Sequence, residues 1–87
     1  MYSVLLIGRA IRQAERTPAP IREKLAILLE RLSESGPFQP DWPNYRKLGP
    51  NKKHCHLNRD WVACWYWKKG SNEIEVYYVG SRQDAPY

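Results

Sequence analysis

The 87-residue chain lacks the long hydrophobic run of a membrane span or a signal peptide. Its first apolar stretch, Val4–Ile7, is too short for either, and no Lys or Arg precedes it. A cytoplasmic protein with no membrane partner is therefore expected. Cysteine is scarce as well. The two present, Cys55 and Cys64, lie nine residues apart on strands expected to be neighbours. A disulfide between them is geometrically open, but two buried free thiols in a reducing compartment are the expectation. There is no C-x-x-C pair, and successive strand residues diverge to opposite faces, so His54, Cys55 and His56 are not expected to share one ion. No metal and no small-molecule cofactor is anticipated. Internal repeats and low-complexity runs are absent too. The apolar fraction of 43% and four tryptophans exclude a disordered chain, and the length sets a single domain over residues 1–87.

One stretch lacks acid. Residues 44–59 carry Arg46, Lys47, Lys52, Lys53 and Arg59 and no Asp or Glu, a local charge of +5 that equals the net +5 of the whole chain. The flanking segments nearly cancel: six basic against five acidic side chains before it, three against four after it. Such a footprint fits a polyanionic partner, although a solvated basic face that keeps a small protein soluble has the same composition.

The strand-like segment Lys52–Leu57 sits inside this basic stretch. With a period of two, His54 and His56 point to one side, and Cys55 and Leu57 point to the other, where a core can cover them. Before it, Tyr2–Ile7 reads as an interior strand, and Arg9–Arg16 as a short helix with Ile11 and Ala14 inward. Thr17 caps the next helix, on which Ile21, Leu25, Leu28, Leu29 and Leu32 form an apolar stripe ended by Ser35-Gly36-Pro37. Residues 36–44, with three prolines, Phe38 and Trp42, read as a loop pinned by aromatic side chains. Tyr45–Leu48 is a brief edge strand, Gly49-Pro50-Asn51 a turn, and Trp61–Trp67 and Glu73–Val79 are strands joined by hairpins. Ala63, Trp65 and Trp67 share one face of their strand and Val62, Cys64 and Tyr66 the other; both sets are apolar, which leaves the core face open. The order β-α-α-β-β-β predicts an α+β domain, two helices on one face of a mainly antiparallel sheet.

The ordered set of a strand, a helix pair, the Leu48-Gly49 turn, "HCHL", "WVACW", "EVYYVG" and the ending "SRQDAPY" resembles the RelE/ParE superfamily of toxins from toxin–antitoxin modules, in its RelE-like branch. The likeness spans nearly the whole chain and is strongest from Lys47 to Tyr87. It implies a microbial-ribonuclease-type fold and an endoribonuclease that cuts mRNA on the ribosome and is held inactive by a cognate antitoxin. The RNA's own 2′-hydroxyl would attack, leaving a 2′,3′-cyclic phosphate without any metal.

Carried over by position, His54 and His56 stand where a well-studied branch has two lysines. Arg82 matches the arginine after the glycine that ends the last strand, and Tyr87 the tyrosine that stacks on a substrate base. The family's second arginine aligns with Val62, so Arg59, Lys52 or Lys53 is expected to supply its charge. The expected roles are His56 as base, His54 or Tyr87 as acid, Arg82 on the scissile phosphate, and Lys47, Lys52, Lys53 and Arg59 along the RNA backbone. Two other activities compete with this one. The first is a non-enzymatic gyrase poison of the ParE-like branch, which has no need of an acid–base set. The second is a small RNA-binding module that stacks bases on exposed tryptophans.

Overall fold

The computed structural model describes residues 1–87. Strand β1 (Ser3–Leu6) leads into helices α1 (Ala10–Arg16) and α2 (Ala19–Ser35). Strands β2 (Arg46–Gly49), β3 (Lys52–His56), β4 (Trp61–Trp67) and β5 (Glu73–Ser81) follow. They form one five-stranded sheet in the order β1-β5-β4-β3-β2, antiparallel except where β1 runs parallel to β5. The expected α+β class and element order are the observed ones, with the brief edge strand at Tyr45–Leu48 realised one residue later as β2.

The helices cover one face. Ile21, Leu25, Leu28 and Leu32 of α2 and Ala10 of α1 pack with Cys55, Leu57, Ala63, Trp65, Ile74, Val76 and Val79 of the sheet side. That answers the question left open for β4: Ala63 and Trp65 face the helices, while Val62 and Cys64 face away and pack with Tyr78. Strict alternation would put Val76 and Val79 on opposite faces. A bulge resolves the conflict, because Trp65 pairs with Val76 and Cys64 with Tyr78, leaving Tyr77 as the extra residue. Trp65 is fully buried, and its indole N–H donates to the Pro37 carbonyl at 3.0 Å. Gln39 Nε2 donates to the Gly36 carbonyl at 2.9 Å. These bonds fix the proline-rich loop to the core and start β2 in place.

Three local expectations are corrected. β1 is an edge strand, not an interior one: Val4 and Leu6 touch the core while Leu5 points out, because only β5 flanks it. Helix α1 starts at Ala10, which turns Ala10 inward and leaves Ile11 half exposed; Ala14 does pack on the core. Thr17 ends α1 instead of capping α2. Its hydroxyl donates to the Ala14 carbonyl at 2.9 Å, and α2 begins on Pro18 with no side-chain cap.

Gly36 closes α2 at φ 92°, and a Cβ there would lie 2.7 Å from the Tyr2 ring. Both a left-handed backbone and a close aromatic neighbour exclude larger residues. Gly36→Ala is expected to cost about 2 kcal/mol of folding stability, measured by urea unfolding. An unchanged midpoint would contradict both constraints.

Candidate active site

Because Cys55 and Leu57 are drawn into the core, His54 and His56 must project from the opposite face. Antiparallel pairing then selects their companions. On β2, Arg46 is directly across from His54 and so shares its face; on β4, Cys64 and Val62 lie across from His54 and His56 and form the floor. The chain just before β2 runs on beside β3, where His56 N–H donates to the Pro43 carbonyl at 2.8 Å. Asn44, at φ 54°, brings its amide Nδ2 to 3.3 Å from His56 Nδ1.

The tail supplies the remaining wall. Arg82 N–H donates to the Asp60 carbonyl at 2.8 Å. Ser81 Oγ donates to Asp84 Oδ2 at 3.1 Å and accepts from Asp84 N–H at 3.2 Å. Thus turned back, the tail lays Tyr87 on His54, with ring centroids 4.5 Å apart and planes inclined by 13°. The His54 and His56 rings are 5.9 Å apart. The result is a cavity of about 270 Å³ lined by Asn44, Arg46, His54, His56, Arg82 and Tyr87.

Four residues expected to be catalytic, far apart in sequence, therefore line one cavity. Tyr87 stacks on His54 although it remains 54% exposed. The expected RNA-binding lysines divide. Lys52 lies on the histidine face, its ammonium 5.7 Å from the Tyr77 ring. Lys53 and its cross-strand partner Lys47 project from the helix side of the sheet, and Lys53 is buried beneath Phe38. Alternation turns both away from the histidine face, so Lys53 does not supply the charge of the second arginine. Arg59 does not line the cavity either.

Val62, where the resemblance would put an arginine, is wholly buried with Cys64 and Tyr78. The second cation at the cavity is Arg46. A register count could have found it, since folding the chain about Pro50 sets 46 against 54. Asn44 gives no comparable signal, because its place depends on a backbone turn outside any strand.

Electrostatics favour neutral rings. Burial lowers the pKa of His54, and the neighbouring His56 and Arg46 lower it further. Burial followed by the Arg82 and Arg46 charges lowers that of His56, against a partial rise from a backbone hydrogen bond near Asn58. Burial also raises the Tyr87 hydroxyl, which stays protonated at neutral pH. The Asn44 amide lies against His56 Nδ1 and helps to fix the plane of that ring. His54 Nδ1 is buried and has no partner. No three His, Cys, Asp or Glu side chains cluster as metal ligands. Cys55 and Cys64 lie on opposite faces of the sheet, so they cannot bridge, and burial pushes both thiols up to about 12.

No known family pattern and no curated protein matches the chain in sequence. Solved structures do match it in shape. A chain of the YoeB–YefM complex from Staphylococcus aureus superposes with a TM-score of 0.72 at 12% identity, covering 92% of this chain and 95% of that one. A YafQ mutant from E. coli gives 0.70 at 13% identity over 95% and 96%. A metal-bound toxin from Helicobacter pylori gives 0.69 at 17% identity over 97% and 98%. The fold of this chain is that of the RelE-like toxins, as the residues of its second half suggested.

Because both imidazoles are harder to protonate when folded, acid favours the unfolded chain. Their contribution to stability is complete above pH ~6.5 and is lost as pH falls below that value. The melting temperature should therefore drop more steeply from pH 7 to pH 5 in the wild type than in a His54→Phe, His56→Phe double variant. Imidazole titrations followed by NMR should place both midpoints below 6.5; a midpoint above it would contradict the charge environment described.

Proposed function

We propose that this chain is the toxin of a toxin–antitoxin pair and acts in the cytoplasm as an endoribonuclease on mRNA in the ribosome. The observation that carries the reading is the convergence of two imidazoles held below their ordinary pKa, two guanidinium groups and a tyrosine on one cavity. The RelE-like fold supports it, as does the appearance of YoeB in a complex with YefM, which makes a cognate antitoxin the expected partner.

The chemistry follows from the groups present. The 2′-oxygen of one nucleotide attacks its own 3′-phosphorus, and its proton passes to a neutral imidazole. The P–O5′ bond breaks, and the departing oxygen takes a proton from a donor on the other side. The products are a 2′,3′-cyclic phosphate and a 5′-hydroxyl. Arg82 and Arg46 face the phosphate and stabilise its extra charge, a task suited to planar, bidentate donors. Tyr87 offers a ring on which a substrate base stacks. His54, on which every influence favours the neutral form, serves as the base; His56, the one ring with an influence favouring its charged form, gives an imidazolium proton to the leaving oxygen. That exchanges the two roles expected from the sequence. Lys52 holds the adjoining backbone. A gyrase poison would need no such acid–base set, and the most buried of the four tryptophans, Trp65, is committed to the core and is no stacking platform.

Inducing the protein without an antitoxin should create new mRNA 5′ ends inside translated codons, mapped by primer extension and lost when initiation is blocked. Gyrase-linked DNA breaks with intact mRNA would overturn the reading. His56→Ala should lower cleavage by about a thousandfold, and a 5′-bridging sulfur leaving group, which needs no protonation, should restore most of it. If sulfur fails to rescue His56→Ala but rescues His54→Ala, the two roles are the reverse. Arg82→Ala should slow cleavage more than it weakens ribosome binding.

A further inference from the structure

Lys53 is the most unusual cation in the molecule. Strand alternation turns it to the helix side of the sheet, at the β2–β3 end, where it is only 2% exposed. Its ammonium lies 4.7 Å from the centroid of Phe38 and 5.9 Å from that of Trp67. No carboxylate answers it. The one charged group acting on it is Lys47, directly across on β2, which opposes its protonation together with burial. A nearly inaccessible ammonium with no carboxylate, beside a second cation, costs folding stability that the flanking Phe38 and Trp67 rings offset only in part.

That ammonium helps line a cavity of about 740 Å³, together with Lys47, Lys69, Phe38, Leu48 and Trp67. Three cations and no acid line it, between apolar walls. Phe38, a large aromatic, is left 56% exposed there. The arrangement is complementary to an anion carried by an apolar body.

We infer that this cavity is a docking site for a partner protein, which inserts a glutamate or aspartate side chain flanked by apolar residues against Lys53. Depth decides between a peptide and a nucleic acid. A phosphodiester is hedged by sugars on both sides and cannot reach a nearly inaccessible ammonium, whereas a carboxylate on a short methylene arm can. Leucine-like neighbours of that acid then cover Phe38 and Trp67. The docking site shares no residue with the histidine cavity. It is linked to it through β2, which presents Arg46 to one face and Lys47 to the other. A protein held at Lys53 would grip the strand that carries Arg46 without filling the catalytic cavity.

The test is fluorescence anisotropy on the full chain with a labelled peptide of alternating Glu and Leu. A Gln–Leu peptide and hexauridylate serve as competitors. The Glu–Leu peptide should bind, the Gln–Leu peptide should not compete, and Lys53→Met should weaken binding about thirtyfold. Bulk charge cannot give that result, since the change removes one charge from a net +5. Lys53→Met should also melt no lower than the wild type. Phe38→Ala, a change at an exposed position, provides a second variant that should weaken the peptide should Lys53→Met fail to fold. Absence of binding, or binding indifferent to both variants, would overturn the docking site. Lys53-dependent binding of hexauridylate in place of the peptide would overturn it too, making the cavity an RNA subsite. No ribosome or cleavage step enters the measurement, so its failure and the failure of the nuclease reading are separate results.

Discussion

The two-residue alternation of β3 is the constraint on which the rest depends. Once Cys55 and Leu57 are taken into the helix-covered core, the backbone has no freedom left in where His54 and His56 point. The same alternation sends Lys53 to the side opposite the histidines, so one five-residue strand serves two faces with different chemistry. A slip of one residue in its pairing with β4 would turn the histidines toward the helices and Cys55 toward the cavity. The register is held by the size of the residues around it. Trp65 fills the core across from Lys53, its indole tied to Pro37.

Around the histidines, polar chemistry is built from segments that have little else in common. Arg46 comes from an edge strand, Asn44 from a left-handed turn, and Arg82 and Tyr87 from a tail held by Asp60, Ser81 and Asp84. Burial first, and then the neighbouring charges, keep both imidazoles below their ordinary pKa. The neutral form is the one that accepts a proton, and a ring that has taken one up gives it away readily. Lysines at the same positions would have to be shifted by several units to take part in such an exchange at neutral pH, whereas histidines start near it.

The floor explains how the site manages without an arginine at position 62. Val62, Cys64 and Tyr78 make a small apolar cluster on the histidine face, and the bulge at Tyr77 turns Tyr77 and Tyr78 toward it. An arginine in place of Val62 would have to leave this cluster to reach solvent. Arg46, entering from the sheet edge, delivers its charge to the cavity without disturbing the floor.

The sequence by itself determined the class of fold, the α2 stripe, the three hairpin strands, the shared face of His54 and His56, and the basic stretch around them. These follow from local rules of period, turn chemistry and charge that need no knowledge of distant neighbours. It also carried, through order and spacing, the likeness that named Arg82 and Tyr87. Only the tertiary structure decided that β1 is an edge strand, that the helices cover Ala63 and Trp65 and not Val62 and Cys64, and that the tail returns to stack on His54. Only it exchanged Lys47 and Lys53 for Arg46 and Asn44 at the cavity. Those outcomes rest on strand register and on backbone turns outside regular structure, and both are fixed by packing between residues far apart in the chain.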